Sequence, residues 1–189
     1  MPIRIFIDQG HNPSGYFNSG AEANGLTESE INYEVGIYLL NLLNSDPRFE
    51  ARVSRPTPDT VLGTNNTTSL AERVRMANAW PADYFISIHC NYSPNPGLNG
   101  TEVYIYQYGT QAQWVAEDIM NGINWFTGTR NNGIRENPSL YVLRNANMPA
   151  NLVELGYLSS PIDSVLLRDN PYGFAYGIYF GLLRYFGFE

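Results

Sequence analysis

The stretch Asp83-Tyr84-Phe85-Ile86-Ser87-Ile88-His89-Cys90-Asn91 decides the fold. Its first six residues are mostly aromatic or β-branched and contain no Gly or Pro, the make-up of a strand. The run ends in an imidazole, at His89. Short strand-like runs alternate with helical patterns on either side of it, and that alternation argues for an α/β fold.

Upstream, Ile3–Asp8 (IRIFID) reads as the first strand, followed by a turn from Gly10 to Gly25 rich in Gly, Asn and Ser. Thr27-x-x-Glu30 has the pattern of a capping box. The helix after it, Glu28 to Asn44, carries Ile31, Val35, Leu39, Leu42 and Leu43 as one apolar stripe. Ala51–Ser54 reads as a second strand. Ser69-x-x-Glu72 repeats the capping pattern before a helix whose buried face is Leu70, Val74 and Ala77.

Downstream, Gly100–Tyr106 alternates as a strand. Thr110–Phe126 reads as a helix with Trp114, Val115, Ile119 and Ile123 turned inward. Leu140–Leu143 and Asn151–Glu154 read as short strands, and Pro171 opens a last helix ending near Phe186. The expectation is one catalytic-sized domain over residues 1–189, with roughly six strands and four or five helices. Strand order is not readable from the sequence.

Composition narrows the chemistry. The chain has 189 residues, 11 cationic and 18 acidic, for a formal charge of −7. Every cation is Arg, so a Lys Schiff base and a P-loop Lys are excluded. The acidic balance argues against nucleic acid as a partner. A single Cys excludes an internal disulfide and a multi-Cys zinc site. No apolar run approaches the roughly 20 residues of a membrane-crossing helix, so no membrane insertion is expected. Met1-Pro2-Ile3-Arg4 has none of the features of a signal peptide.

The two histidines carry the functional argument. His11 lies just past the first strand, His89 ends the quoted strand, and Glu154 ends Asn151-Leu152-Val153-Glu154. Open α/β sheets bind ligands beyond the carboxyl ends of their strands, so these groups converge on one crevice. Two imidazoles and a carboxylate form a catalytic zinc set that leaves a fourth position to water. Zinc lowers that water's pKa to about 7, and a separate carboxylate moves the proton. His11, Glu28 and His89 fit the ligand role and Glu154 the base. The residues alone do not select Glu28 over Glu22 or Glu30, because an acid at a helix start is also favoured by the helix dipole.

At these positions the chain resembles the zinc-dependent N-acetylmuramoyl-L-alanine amidases of the Amidase_3 type. Asp8-Gln9-Gly10-His11 resembles D-P-G-H, and Gly25-Leu26-Thr27-Glu28 resembles the segment carrying the ligand Glu. Ser54-Arg55 resembles a T-R pair. Leu70, Arg73, Ala77 and Asn78 match L-x-x-R-x-x-x-A-N. Ile86 to Asn91 resembles S-I-H-A-N, Gly100-Thr101-Glu102 resembles G-x-E, and Pro149 to Ser159 resembles P-A-x-L-V-E-x-G-F-L-S. The resemblance runs from about Ile3 to Phe186. It implies a mixed, roughly six-stranded sheet flanked by helices on both faces. It implies one Zn2+ held by His11, Glu28 and His89, with Glu154 as the catalytic carboxylate. The implied reaction is hydrolysis of the amide between N-acetylmuramic acid and L-alanine of the peptidoglycan stem. The expected place of action is the cell wall, reached by lysis or as an excised domain of a secreted protein. The alternatives are another zinc amidohydrolase or carboxypeptidase acting on peptidoglycan-derived peptides, or a catalytically silent wall-binding module.

Three positions depart from the family pattern: Gln9, Asn12-Pro13 and Ser160. Other residues are read more openly. Asp8 is a candidate partner orienting His11, or a turn carboxylate. Asn91 is a substrate contact or a turn residue. Glu102 faces the cleft or is a solvated strand residue. Arg135, in Asn132-Gly133-Ile134-Arg135, is a partner for a stem-peptide carboxylate or an ordinary surface Arg. Cys90 alternates away from His89 and is expected to be a buried, inert thiol.

Overall fold

The computed structural model describes residues 1–189. Six strands form one mixed sheet in the order β4-β1-β5-β8-β6-β7. They are β1 (Ile3–Gln9), β4 (Phe49–Val53), β5 (Tyr84–Asn91), β6 (Thr101–Ile105), β7 (Asn131–Glu136) and β8 (Ala150–Tyr157). β4, β1, β5 and β8 run parallel; β6 is antiparallel to β8, and β7 is parallel to β6.

Helices cover the two faces unequally. On one side, α1 (Glu28–Asn44), α3 (Gln111–Thr127) and α6 (Pro171–Tyr185) pack over Ile5, Ile7, Ile86, Ile88, Val103 and Val153 in the main core. On the other, α2 (Asn66–Ala79) and α4 (Tyr141–Asn145) cover a smaller core of Phe6, Phe85 and Leu152. Side chains alternate along a strand. On the thinly covered face, the residues following Phe6, Phe85 and Leu152 at period two are therefore Asp8, Ser87, His89 and Glu154. That face is apolar over its first half and polar over its second.

Antiparallel β6 adds to it. Glu102 lies at the start of its strand, yet it sits opposite Glu154, whose other register partner is His89. His89, Glu154 and Glu102 thus form one row across three neighbouring strands.

Several expectations are corrected. Leu140–Leu143 is not a strand; Tyr141–Asn145 is the short helix α4, with Val142 and Leu143 in the smaller core. A four-residue apolar run carries no period that separates the two states. The sixth strand is instead β7, a polar edge strand that no apolar alternation marks. The Gly10–Gly25 turn leads into a small hairpin of β2 (Glu22–Ala23) and β3 (Leu26–Thr27), and α5 (Asp163–Asp169) is an added helix. Thr27 makes no capping bond. α2 is capped by a box of Asn65 and Thr68, one turn before Ser69. Trp114 is exposed rather than inward.

Candidate metal centre

His11 sits two residues past the end of β1 with φ of 69°, the left-handed region. Its Nδ1 lies 3.1 Å from Asn18 Oδ1 and 3.2 Å from the Asn18 carbonyl. That leaves Nε2 free to face Glu28, with Oε1 at 3.0 Å. His89, one residue from the end of the apolar run of β5, places Nδ1 3.0 Å from the same oxygen. The rings meet edge to face at 79° with centroids 4.9 Å apart.

Glu28 begins α1, at the end of the helix dipole that favours an anion. Its Oε1 also accepts the Cys90 amide, and Oε2 accepts the Ala21 amide. One ligand atom from each of His11, Glu28 and His89 lies within 4.8 Å of the others. Burial alone would raise the Glu28 carboxyl, but hydrogen bonds from both imidazoles hold it well below the ordinary range. Burial would lower His11, and the Glu28 carboxylate reverses that and raises it.

The backbone leaves room for this cluster. A Cβ on Gly10 would enter the His89 ring. A Cβ on Gly20 would lie 2.7 Å from Glu28 Oε2 and 2.9 Å from His11 Cδ2. Two imidazoles and one carboxylate in this cradle can hold a divalent metal ion with nitrogen and oxygen donors.

Glu154 lies beside His89 in register, yet its Oε2 is buried with no hydrogen-bond partner. Burial, then the neighbouring carboxylates of Glu28 and Glu102, raises its carboxyl well above the ordinary value. A carboxylate with no hydrogen-bond partner and a raised affinity for a proton is suited to receive one.

Asp8 does not touch His11. It is fully buried and accepts from Arg73 Nη1 at 2.6 Å and Ser87 Oγ at 2.8 Å. Burial would raise it, and the Arg73 guanidinium outweighs that and lowers it. Arg73 also donates to the carbonyls of Gln9 and His11. Asn18, which the sequence reading missed, orients the imidazole; its only sequence signal was an Asn in a Gly- and Asn-rich turn, and in the fold it takes the left-handed φ of 56°.

Glu102 is not solvated. It accepts from Tyr104 Oη at 2.8 Å, Tyr157 Oη at 2.9 Å, Arg135 Nη2 at 3.2 Å and Asn91 Nδ2 at 3.4 Å. Arg135 and Asn91 are therefore tied to Glu102 in this structure, and both line a cleft of about 500 Å³. The cleft opens beside the three convergent residues, not over them. Cys90 is buried on the main-core side as expected, and burial pushes its thiol up.

The three departures from the family pattern are absorbed by the fold. Gln9 Oε1 accepts the Arg55 amide, Asn12 exchanges hydrogen bonds with the Leu62 backbone, and Ser160 Oγ accepts from the Asp163 amide at the start of α5.

A family profile described as N-acetylmuramoyl-L-alanine amidase, Amidase_3, matches residues 5–184. The chain is 35% identical over 172 residues to the N-acetylmuramoyl-L-alanine amidase CwlM of Bacillus licheniformis, covering 90% of this chain and 62% of that protein. It is 34% identical to the amidase LytC of Bacillus subtilis (strain 168), covering 89% of this chain but 32% of LytC. The chain thus spans less than two thirds of the length of either relative. Among solved structures, an N-acetylmuramoyl-L-alanine amidase from Clostridium difficile 630 superposes with a TM-score of 0.86 at 30% identity, covering 98% and 97% of the two chains. The catalytic domain of CwlV from Bacillus (Paenibacillus) polymyxa var. colistinus gives 0.85 at 30% identity, covering 99% of each.

Proposed function

Because the chain belongs to the Amidase_3 family of N-acetylmuramoyl-L-alanine amidases, we propose that it hydrolyses the amide joining N-acetylmuramic acid to L-alanine in peptidoglycan. The observation that carries this reading is the row at the polar end of the sheet. His11 Nε2 and His89 Nδ1 converge on one oxygen of Glu28, and an unpartnered Glu154 carboxylate stands on the adjacent strand. On this reading residues 1–189 are one catalytic domain, and its place of action is the cell wall. No helix is long and apolar enough to cross a membrane.

His11, Glu28 and His89 would hold one zinc ion. When bound, zinc supplies a Lewis acid for the scissile carbonyl and acidifies a water molecule. The protein does the rest. Asn18 and the Ala21 amide fix the orientation of two of the holding groups. Glu154 takes the proton from the attacking water. Its raised affinity for a proton lets it keep that proton until the tetrahedral intermediate collapses, and then deliver it to the leaving amine of L-alanine. A silent wall-binding module would be expected to lack a holding group or the base, and all four are present.

The test is digestion of purified peptidoglycan with and without a chelator, read by mass spectrometry. Stem peptides beginning at L-alanine, lost on chelation and restored by zinc, are expected. Cleavage within the peptide or the glycan, or activity that resists chelation, would overturn the reading.

A further inference from the structure

Gln9 is an amide in an apolar row. It follows Ile5 and Ile7 on the main-core face of β1, is fully buried, and leaves its Nε2 without a hydrogen-bond partner. A half-satisfied buried amide costs stability, so packing alone does not account for it. The family pattern has Pro at this position, and Pro offers neither an N–H nor a side-chain acceptor. Here both groups are used.

β1 and β4 pair in register as far as Ile7 and Val53. Where β4 ends, Gln9 continues the tie. Its amide donates to Ser54 Oγ at 3.0 Å, and its Oε1 accepts the Arg55 amide at 2.8 Å. The Arg55 guanidinium is thereby placed between two carbonyls, Ser29 at 2.9 Å and His11 at 3.4 Å. The same Gln9 side chain lies across α1 at Gly36. A Cβ there would run into Gln9 Cγ and lie 3.1 Å from both Cδ and Nε2. Ser29 and Gly36 are about two turns apart on one face of α1. β1 therefore grips α1 at two points, directly at Gly36 and through Arg55 at Ser29. A helix held in this way neither slides along the strand nor rolls on it. Glu28 starts that helix, and His11 stands two residues after Gln9.

We propose, on the reading that His11, Glu28 and His89 hold zinc, that Gln9 is a positioning residue for the metal centre and acts as a pair with Gly36. Together they set His11 and Glu28 relative to each other. They replace the fixed backbone that Pro gives the family pattern.

Zinc affinity is measured on metal-free protein by competition with a chelating dye, alongside thermal unfolding of the same samples. Gln9→Ala and Gly36→Ala should each weaken zinc binding about tenfold. The double variant should be no weaker than Gln9→Ala, because the Cβ at position 36 then enters the space that the Gln9 side chain has left. Gln9→Pro should weaken zinc as much, although it restores the family residue. Gly122→Ala presses a Cβ onto the Gly177 carbonyl between the remote helices α3 and α6. It should lower Tm and keep wild-type affinity. Gly36→Ala leaves every hydrogen-bonding group in place, so it decides the matter if Gln9→Ala does not fold. Wild-type affinity in Gly36→Ala or Gln9→Pro, additive losses in the double variant, or an equal loss in Gly122→Ala overturns the pairing and leaves the metal centre standing. Zinc binding that survives His89→Ala unchanged sinks the metal centre, and the pairing with it.

Discussion

His11 is a non-glycine residue at positive φ, a conformation that costs about 1–3 kcal/mol and persists only where its surroundings over-determine it. Arg73 is the main constraint. It bridges the Asp8 carboxylate and the carbonyls of Gln9 and His11, so it holds the turn that aims the imidazole. Arg55, buried beside it, donates to the Ser29 carbonyl in the first turn of α1 and so links the His11 turn to the helix bearing Glu28. Burial and Arg73 lower the Arg55 pKa to about 10, which leaves it a cation at neutral pH. Removing Arg73 outright would strand a buried Asp8, at a cost of about 3–5 kcal/mol, so Arg73→Lys is the informative variant. An ammonium cannot reproduce the planar fork. Zinc affinity should fall about 10–100-fold with the fold intact, read by competition with a chelating dye and by circular dichroism. Unchanged affinity would show that the clamp does not position His11. Glu154 behaves in the opposite sense to Asp8. Its folded pKa lies above the unfolded value, so the native state is penalised as pH rises through that interval. In metal-free protein, Glu154→Gln should therefore gain about 1–3 kcal/mol at pH 7. That is a rise in Tm of about 2–4 °C per kcal/mol, and it should vanish near pH 4. The same variant should keep zinc and lose about 10²–10⁴-fold in turnover.

The elements differ in how far the sequence exposed them, and burial explains the difference. β1, β5 and β8 are buried on both faces over most of their length, so their apolar runs read directly as strands. α1 and α3 show helical stripes because one side packs on the sheet. β7 is a polar edge strand held by β6 alone, and nothing in Asn131–Glu136 announces pairing. The site followed the same logic. His89 and Glu154 were legible as polar groups that close apolar runs, but they do not end their strands: β5 continues to Asn91 and β8 to Tyr157. Choosing Glu28 required the family resemblance, and the roles of Asn18, Tyr104 and Tyr157 exist only in the tertiary arrangement. Helix packing adds an element-scale prediction. Gly122 of α3 meets the Gly177 carbonyl of α6 so closely that a Cβ has no room. Gly122→Ala should raise intrinsic helix propensity and yet destabilise the protein by about 1–3 kcal/mol through overpacking, measured by urea unfolding. A stabilised variant would mean that the two helices can separate without cost.

At the scale of the whole molecule, the metal centre joins segments that are far apart in the chain. His11 and Glu28 come from the first strand-to-helix connection, and His89 from the central strand β5. An ion held by all three therefore binds the folded state and not the unfolded one, and stabilises it by mass action. At free zinc 1,000-fold above Kd the gain is about 4.1 kcal/mol. Protons compete for the same atoms. Glu28 raises the pKa of His11 in the metal-free protein, so imidazole protonation begins above the ordinary His value. A raised His contributes stability that is complete below its unfolded pKa and is lost as pH rises through its folded pKa. Zinc contributes in the reverse direction, because it needs the neutral ring. The difference in Tm between zinc-loaded and chelated protein should accordingly be largest above pH 7.5. It should shrink as pH falls through the His11 pKa and close by about pH 5. His11→Ala should remove that pH-dependent gap, along with most of the zinc response. A gap that stays constant from pH 8 to pH 5 would place the stabilising ion away from the imidazoles.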